Sequence, residues 1–350
     1  MAKADDIVNL IKTHNDGDDK GFDACVAAIV ANNKAAGTVQ GRNLAERIER
    51  LLRNGKGRWL TLSSQDAFYL KDVLESGLAW AEESNVKLSD MVLSDNLSLV
   101  LKKVVQERAA TDKLRAHGLE PVRKILCYGP PGTGKTMSAS ALAGELNLPL
   151  YIVSAEKTIG QYLGSTAQNL GKIFNVIKRA EGVWFFDEFD SLARERTAGT
   201  GGGDSEMSRV MGSLLQFIER DKSSSIIMAA TNMPKLLDKA LYRRFDVVAS
   251  YTLPTLREIS PLITGAAASA GLENVLDIMP PEVELRTKIA HLMAGYNHAT
   301  VVRACRDAAK TLILEDKPVC WGTFLPELEN AIRLSGAAND FRNAGVGYGD

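Results

Sequence analysis

No apolar run in the 350-residue chain reaches the roughly 18 to 20 residues a membrane span requires, which argues against a membrane-spanning protein. The start, Met1-Ala2-Lys3-Ala4-Asp5-Asp6, is too polar for a secretory signal. Cysteine and histidine are sparse. Cys25, Cys127, Cys305 and Cys320 form no close pair, and the four histidines are equally scattered. Neither a disulfide framework nor a zinc site is expected, and the chain reads as a cytoplasmic protein with reduced, mostly packed thiols. An excess of one charge is also missing. The formal net charge of -1 gives no electrostatic case for nucleic acid or for an anionic membrane. There is no G-x-S-x-G elbow and no H-E-x-x-H pair, so nothing marks the chain as a protease. What is present is ordinary globular material, 45% hydrophobic and 24% charged, which is enough to build a sizeable core.

The apolar spacing divides the chain. Phe22, Cys25, Val26, Ile29 and Val30 form one helical stripe, and Leu44, Ile48, Leu51 and Leu52 another that Gly55 can end. Residues 1–55 are therefore expected to form a small helical module, with 56–95 a connecting segment that is helical from Asp66 to Glu82. From Lys124 the pattern alternates. Short apolar runs at Ile125–Tyr128, Leu150–Val153, Val183–Phe186, Ile226–Ala230 and Val247–Tyr251 are separated by helix-period segments. Such alternation predicts a mainly parallel sheet covered on both faces, over residues 96–254. Beyond Pro254 the strand-like runs stop. Residues 255–334 read as a helical domain and 335–350 as a disordered tail.

The first of these strands runs into Gly129-Pro130-Pro131-Gly132-Thr133-Gly134-Lys135-Thr136, which fits G-x-x-x-x-G-K-[ST]. Its glycines let the backbone wrap around phosphates with several N–H groups pointing inward. The following helix offers its N-terminus to the same anion. Lys135 supplies a charge for the β- and γ-phosphates, and the Thr136 hydroxyl can ligand Mg2+. The strand Val183–Phe186 ends in Asp187 and Glu188. Asp187 is expected to hold Mg2+ together with Thr136, and Glu188 to take the proton of an attacking water. Asp190 reads as structural. The chemistry implied is Mg-ATP hydrolysis.

Four segments in order, GPPGTGKT, FFDEFDSLA, AATN and ALYRRFD, resemble the AAA ATPase family over roughly Leu97 to Leu334. The resemblance implies an α/β P-loop NTPase domain with a five-stranded parallel sheet and a C-terminal helical lid. It also implies a ring, usually of six subunits, with nucleotide at each boundary. Asn232 matches the family's polar sensor, which helps orient the water. Arg243 and Arg244 match the arginine-finger segment, in which an arginine reaches a neighbour's nucleotide. Here the two are adjacent, where many relatives insert Pro-Gly between them, so both are carried forward. Gly295 to Thr300 stands where relatives have a glycine-rich turn opening a lid helix, with His298 departing from the usual glycine. Tyr162, Leu163 and Gly164 match an aromatic–apolar–Gly step that lines the pore and grips polypeptide in threading members. Gly199 to Gly203 fits a second pore-facing loop.

A narrower similarity exists. Residues 10–22 and 115–126, with the short RRFD finger, resemble bacterial AAA ATPases encoded beside subtilisin-like serine proteases. That resemblance implies such a protease as a partner. The expected partners are thus further copies of the chain, a protein substrate and this protease. An ATP-driven remodeller of proteins is the leading reading. A nucleic-acid-directed loader or regulator, and an ATP-dependent switch or scaffold, are the alternatives.

Overall fold

The computed structural model describes residues 64–159, 165–189, 203–232, 242–269, 291–318 and 320–334, together with residues 12, 25, 26, 28, 29, 288 and 289. The chain divides into two compact units, residues 1–64 and 65–350. Within the first, Cys25, Val26, Ala28 and Ile29 are helical, with Val26 and Ile29 buried as one helical stripe requires.

The second unit begins at helix α1 (Ser64–Glu75) and edge strand β1 (Ala79–Glu82). The sequence reading extends one helix through this whole stretch, and the structure corrects it. Gly77 takes a left-handed φ of 72°, and Leu78 N–H donates to Val73 O, so the helix stops there. The next four residues pair antiparallel with β3 (Leu150–Val153). α1 is tied down by Arg179, whose guanidinium lies 2.7 Å from Asp66 and 4.9 Å from the Tyr69 ring centroid.

The segment 83–94 then crosses to α2 (Asp95–Ala109) and α3 (Thr111–Ala116). Ser94 caps α2 by accepting from Leu97 N–H. Five parallel strands follow. They are β2 (Lys124–Tyr128), β3, β4 (Val183–Phe186), β5 (Ile226–Thr231) and β6 (Val247–Ser250). Helices are described between β2 and β3, β3 and β4, and β4 and β5, namely α4 (Lys135–Leu146), α5 (Ala155–Thr158), α6 (Ser165–Ile177) and α7 (Gly203–Arg220). The spatial order is β1-β3-β4-β5-β2-β6, so the predicted five-stranded parallel sheet is present with β1 added at its edge.

Both faces of the sheet are covered, which is why the strands read as unbroken apolar runs. Val183 and Phe185 of β4 join the core that Leu97, Leu101 and Val104 of α2 and Leu142 of α4 close on one face. The alternate residues Trp184 and Phe186 face the other side. There Phe186 stacks on Phe174 of α6, which stacks on Phe217 of α7. A separate apolar cluster unites α8 (Leu256–Ala268), α9 (His298–Leu314) and α10 (Trp321–Leu334) with Ile289 and Met293. A capping box of Thr255 and Glu258 starts α8, immediately after Pro254 ends the sheet's last connection.

Candidate functional site

In a parallel sheet every strand delivers its carboxyl end to the same edge, and here the register sets which residues meet. Tyr128 of β2 lies beside Thr231 of β5, and Phe186 of β4 beside Ala229. The residues that follow these strands therefore converge: the loop from Gly129, the pair Asp187 and Glu188, and Asn232. Two backbone bonds lock the arrangement. Gly129 N–H donates to Thr231 O at 3.2 Å, and Phe189 N–H to Ala230 O at 2.8 Å.

The loop conformation requires its glycines. Gly129, Gly132 and Gly134 have φ of 148°, 71° and 95°. A Cβ on Gly129 would lie 2.1 Å from Tyr251 O, and one on Gly132 2.8 Å from the Asn297 side chain. Thr133 is buried and its hydroxyl donates to Pro130 O at 2.8 Å, bracing the turn from inside. Pro131 takes its place in the same turn. Lys135, the first residue of α4, is also buried, and its ammonium donates to Gly129 O and Pro130 O at 2.9 and 2.8 Å. The charge is thus held against the loop that would wrap the phosphates.

Thr136 Oγ1 donates to Asp187 Oδ2 at 3.2 Å. A hydroxyl and a carboxylate oxygen side by side are the hard donor set that Mg2+ favours. Glu188 adopts a φ of 46°, an uncommon backbone state for a residue with a Cβ, while its N–H donates to Asp187 Oδ1 at 2.8 Å. The turn keeps Asp187 facing Thr136 and leaves Glu188 exposed at the mouth. Among the described residues, the buried Oδ1 of Asn232 has no hydrogen-bond partner. A buried, unpaired amide oxygen is costly to a fold, and at this edge it is suited to accept from a bound water. Donor set, cradle and orphan oxygen all fit a nucleoside triphosphate with its metal.

The helical cluster of α8, α9 and α10 touches the loop at Gly132. Ala299 N–H, in the first turn of α9, donates to Gly132 O at 3.0 Å, while Asn297 caps the helix by accepting from Thr300 N–H. His298 lies between them, with its Nδ1 buried and unpartnered among the described residues. Burial lowers its pKa, opposed by the nearby Glu258 carboxylate. Sequence reading pointed to this segment without finding the Gly132 contact, since nothing in residues 295–300 encodes a partner so far away in the chain.

Residues 125–253 match the family model described as ATPase family associated with various cellular activities (AAA). These residues form an AAA ATPase domain. An uncharacterized AAA family ATPase of Sinorhizobium fredii is 38% identical over 227 residues, covering 65% of each chain. An ATP-dependent zinc metalloprotease FtsH of Metamycoplasma arthritidis is 31% identical over 278 residues, 76% of this chain and 36% of that protein. A chloroplastic FTSH metalloprotease of Nicotiana tabacum is 32% identical over 232 residues, 65% and 31% of the respective chains. The chain thus spans about a third of the length of the metalloproteases it matches. An AAA domain binds and hydrolyses ATP with Mg2+. Here Thr136 and Asp187 would hold the ion, which when bound neutralises charge on the β- and γ-phosphate oxygens.

The arginine segment lies elsewhere in the AAA domain. Arg244 pairs with Glu219, near the end of α7, and the Glu219 carbonyl accepts from Lys124 Nζ at 3.3 Å. Asp246 Oδ2 accepts from both Arg123 N–H and Lys124 N–H at 2.9 Å. Arg244 is therefore held at the start of β2, whereas the phosphate loop leaves its far end. Five residues of strand separate them, about 15 Å at 3.3 Å per residue. Arg243 is exposed and makes no ion pair among the described residues. Tyr162, Leu163, Gly164, Asp190 and the glycines from 199 to 202 lie outside the described residues, as does the tail. No described helix is long and apolar enough to cross a membrane, and no described cluster of His, Cys, Asp and Glu could hold a metal.

Cys127 and Cys305 are buried, and burial pushes each thiol up to about 12. Both are packing groups rather than nucleophiles.

Proposed function

We propose that the chain is one subunit of an oligomeric ring in which ATP hydrolysis drives remodelling or unfolding of a protein substrate. The carrying observation is the separation of parts. Phosphate loop, Mg2+ ligands, Glu188 and Asn232 gather at one edge of the sheet, and Arg244 is fixed at the other. An arginine so placed cannot serve its own nucleotide. It suits a boundary where another copy presents its site, which gives the ring a chemical reason to exist. In this mechanism Glu188 takes the proton of the attacking water, Asn232 orients that water, and an arginine of the adjoining copy stabilises charge on the transferring phosphoryl group. Protein as the substrate class is supported by the matched metalloproteases, whose names describe ATP-dependent proteolysis. This chain matches only part of them, and in this reading the matched part supplies the motor. A subtilisin-like serine protease is the partner the sequence resemblance favours. Tyr162, with Leu163 and Gly164, would grip the polypeptide, since a rigid aromatic face presses on side chains with little regard for sequence.

The test is capture with Glu188→Gln protein in cytoplasmic extract. In ATP the variant should retain specific proteins that it releases in ADP and that Tyr162→Ala abolishes. Retention of the same proteins in either nucleotide, or of nucleic acid in place of protein, would overturn the reading.

A further inference from the structure

The segment 160–164, which carries Tyr162, is entered from α5 and left into α6, and both helices are held by one piece of chain, α1 with β1. We propose that α1 and β1 form a clasp that sets the two ends of this segment, with Asp66, Tyr69 and Asp72 of α1 as its positioning residues. This rests on the reading that Tyr162 grips polypeptide.

The entry side is held through the backbone. Gly77, at a φ of 72°, lets the chain reverse after α1. β1 then runs antiparallel to β3, with Ala79 opposite Val153. Leu78 O accepts from Ser154 N–H at 2.9 Å, one residue before α5 begins. Ser154 in turn caps α5, its hydroxyl accepting from Lys157 N–H at 3.1 Å. The clasp thus reaches the residue from which α5 starts.

The exit side is held through side chains. Asp66, Tyr69 and Asp72 follow one another at helical spacing and share one face of α1. Asp72 Oδ2 lies 3.4 Å from Lys172 Nζ of α6. Just beyond α6, Arg179 meets Asp66 at 2.7 Å and lies over the Tyr69 ring. Apolar packing of Phe174 on Phe186 and Phe217 fixes the inner face of α6, and these ion pairs brace its outer face. The two stems are also joined directly. Asn169 Nδ2 of α6 donates to Lys157 O and Thr158 O, carbonyls at the end of α5, at 3.3 and 3.2 Å. Only residues 160–164 separate Ile159 from Ser165. So short a connection has little slack, since a residue reaches about 3.3 to 3.6 Å at full extension. A shift of either stem is therefore passed into it. None of the clasp residues is among those assigned to nucleotide or Mg2+.

The test uses the full-length chain. Exposed ion pairs add little to stability, so Asp72→Lys should lower the melting temperature by no more than about 4 °C and leave basal ATP turnover unchanged. Hydrogen exchange should accelerate roughly five- to ten-fold at residues 155–159 and 165–172, and not in the phosphate loop, the low end of coupling between distinct sites. In the Glu188→Gln background with ATP, affinity for fluorescein-labelled casein, an unfolded polypeptide, should fall by a similar factor. Adding Lys172→Asp, which restores the pair with its signs reversed, should recover both. A merely structural pair would move the melting temperature and leave the casein affinity of the folded protein as it was. Exchange and casein affinity that stay at wild-type values in Asp72→Lys, or that Lys172→Asp does not recover, would overturn the clasp. Failure of the gripping reading looks different. The Glu188→Gln parent would then not bind casein, or Tyr162→Ala would leave its affinity intact, and the exchange result alone would decide for or against the clasp.

Discussion

At Lys135 the physics of the site is most exposed. Its ammonium donates to two neutral carbonyls of its own loop, and phosphate oxygens offer the same donor anionic acceptors. Charge-assisted hydrogen bonds contribute about 1.5 to 3 kcal/mol, so Lys135→Ala should weaken ATP binding by roughly 10- to 100-fold in a fluorescent-nucleotide titration. Wild-type affinity would break the assignment of the loop. Asn232 gives the opposite stability sign. Its buried Oδ1, unpartnered among the described residues, costs the fold something, so Asn232→Ala should leave the melting temperature unchanged or raise it by up to about 1 kcal/mol equivalent. Turnover should fall at least ten-fold, as for loss of one preorganised polar group. A destabilised protein with normal kcat would mean that the amide is structural. Lys135 was readable from the sequence because phosphate chemistry restricts residue type and spacing together, whereas Asn232 came only from the family resemblance. Glu219, Phe189 and Phe245 were not legible as partners of the arginine turn. A single carboxylate on a helix and two aromatics in apolar runs look like any surface or core residue until the fold joins them.

Among the elements, the five parallel strands were legible because burial on both faces makes each an unbroken apolar run. β1 was not. Ala-Trp-Ala-Glu is a short edge strand with one buried residue, and a preceding helix hid its start until Gly77 turned the chain. The segment 83–94 after β1 lies close against α4, although none of its residues is buried. A Cβ on Gly144 of α4 would lie 2.0 Å from Val86 O, and Glu145 accepts from Leu88 N–H at 3.0 Å. Gly144→Val should cost about 1 to 3 kcal/mol, as overpacking does, read as a lower melting temperature with KM for ATP little changed. An unaltered melting temperature would show that this segment is not held there. The lid helix α9 carries a pH term. His298 has a lowered pKa in the fold because of burial, so below about 6.5, its ordinary value, the unfolded chain takes up a proton the native state resists. Stability contributed at this residue is therefore complete above that pH and declines as pH falls through it. His298→Asn should flatten the acid limb of a melting-temperature profile between about pH 6.5 and 5. A limb identical to wild type would exclude His298 from it.

For the molecule as a whole, the proposed mechanism places hydrolysis at one sheet edge and its arginine at the other, and therefore calls for a second copy of the chain. The sequence carried that expectation through family resemblance alone. The physical reason emerged only with topology: β6 is parallel to β2, so the chain must return to the strand-start edge before β6 begins, and it brings Arg243 and Arg244 with it. The central claim is that Glu188 activates water at a site otherwise complete for Mg-ATP. It is tested most directly by following ATP held on Glu188→Gln protein against wild type in a single-turnover experiment. The account predicts that the variant binds ATP with near wild-type affinity and keeps it intact, with hydrolysis slowed by about 100- to 10,000-fold, the usual scale of a lost general base. Hydrolysis of the bound ATP at the wild-type rate would contradict it.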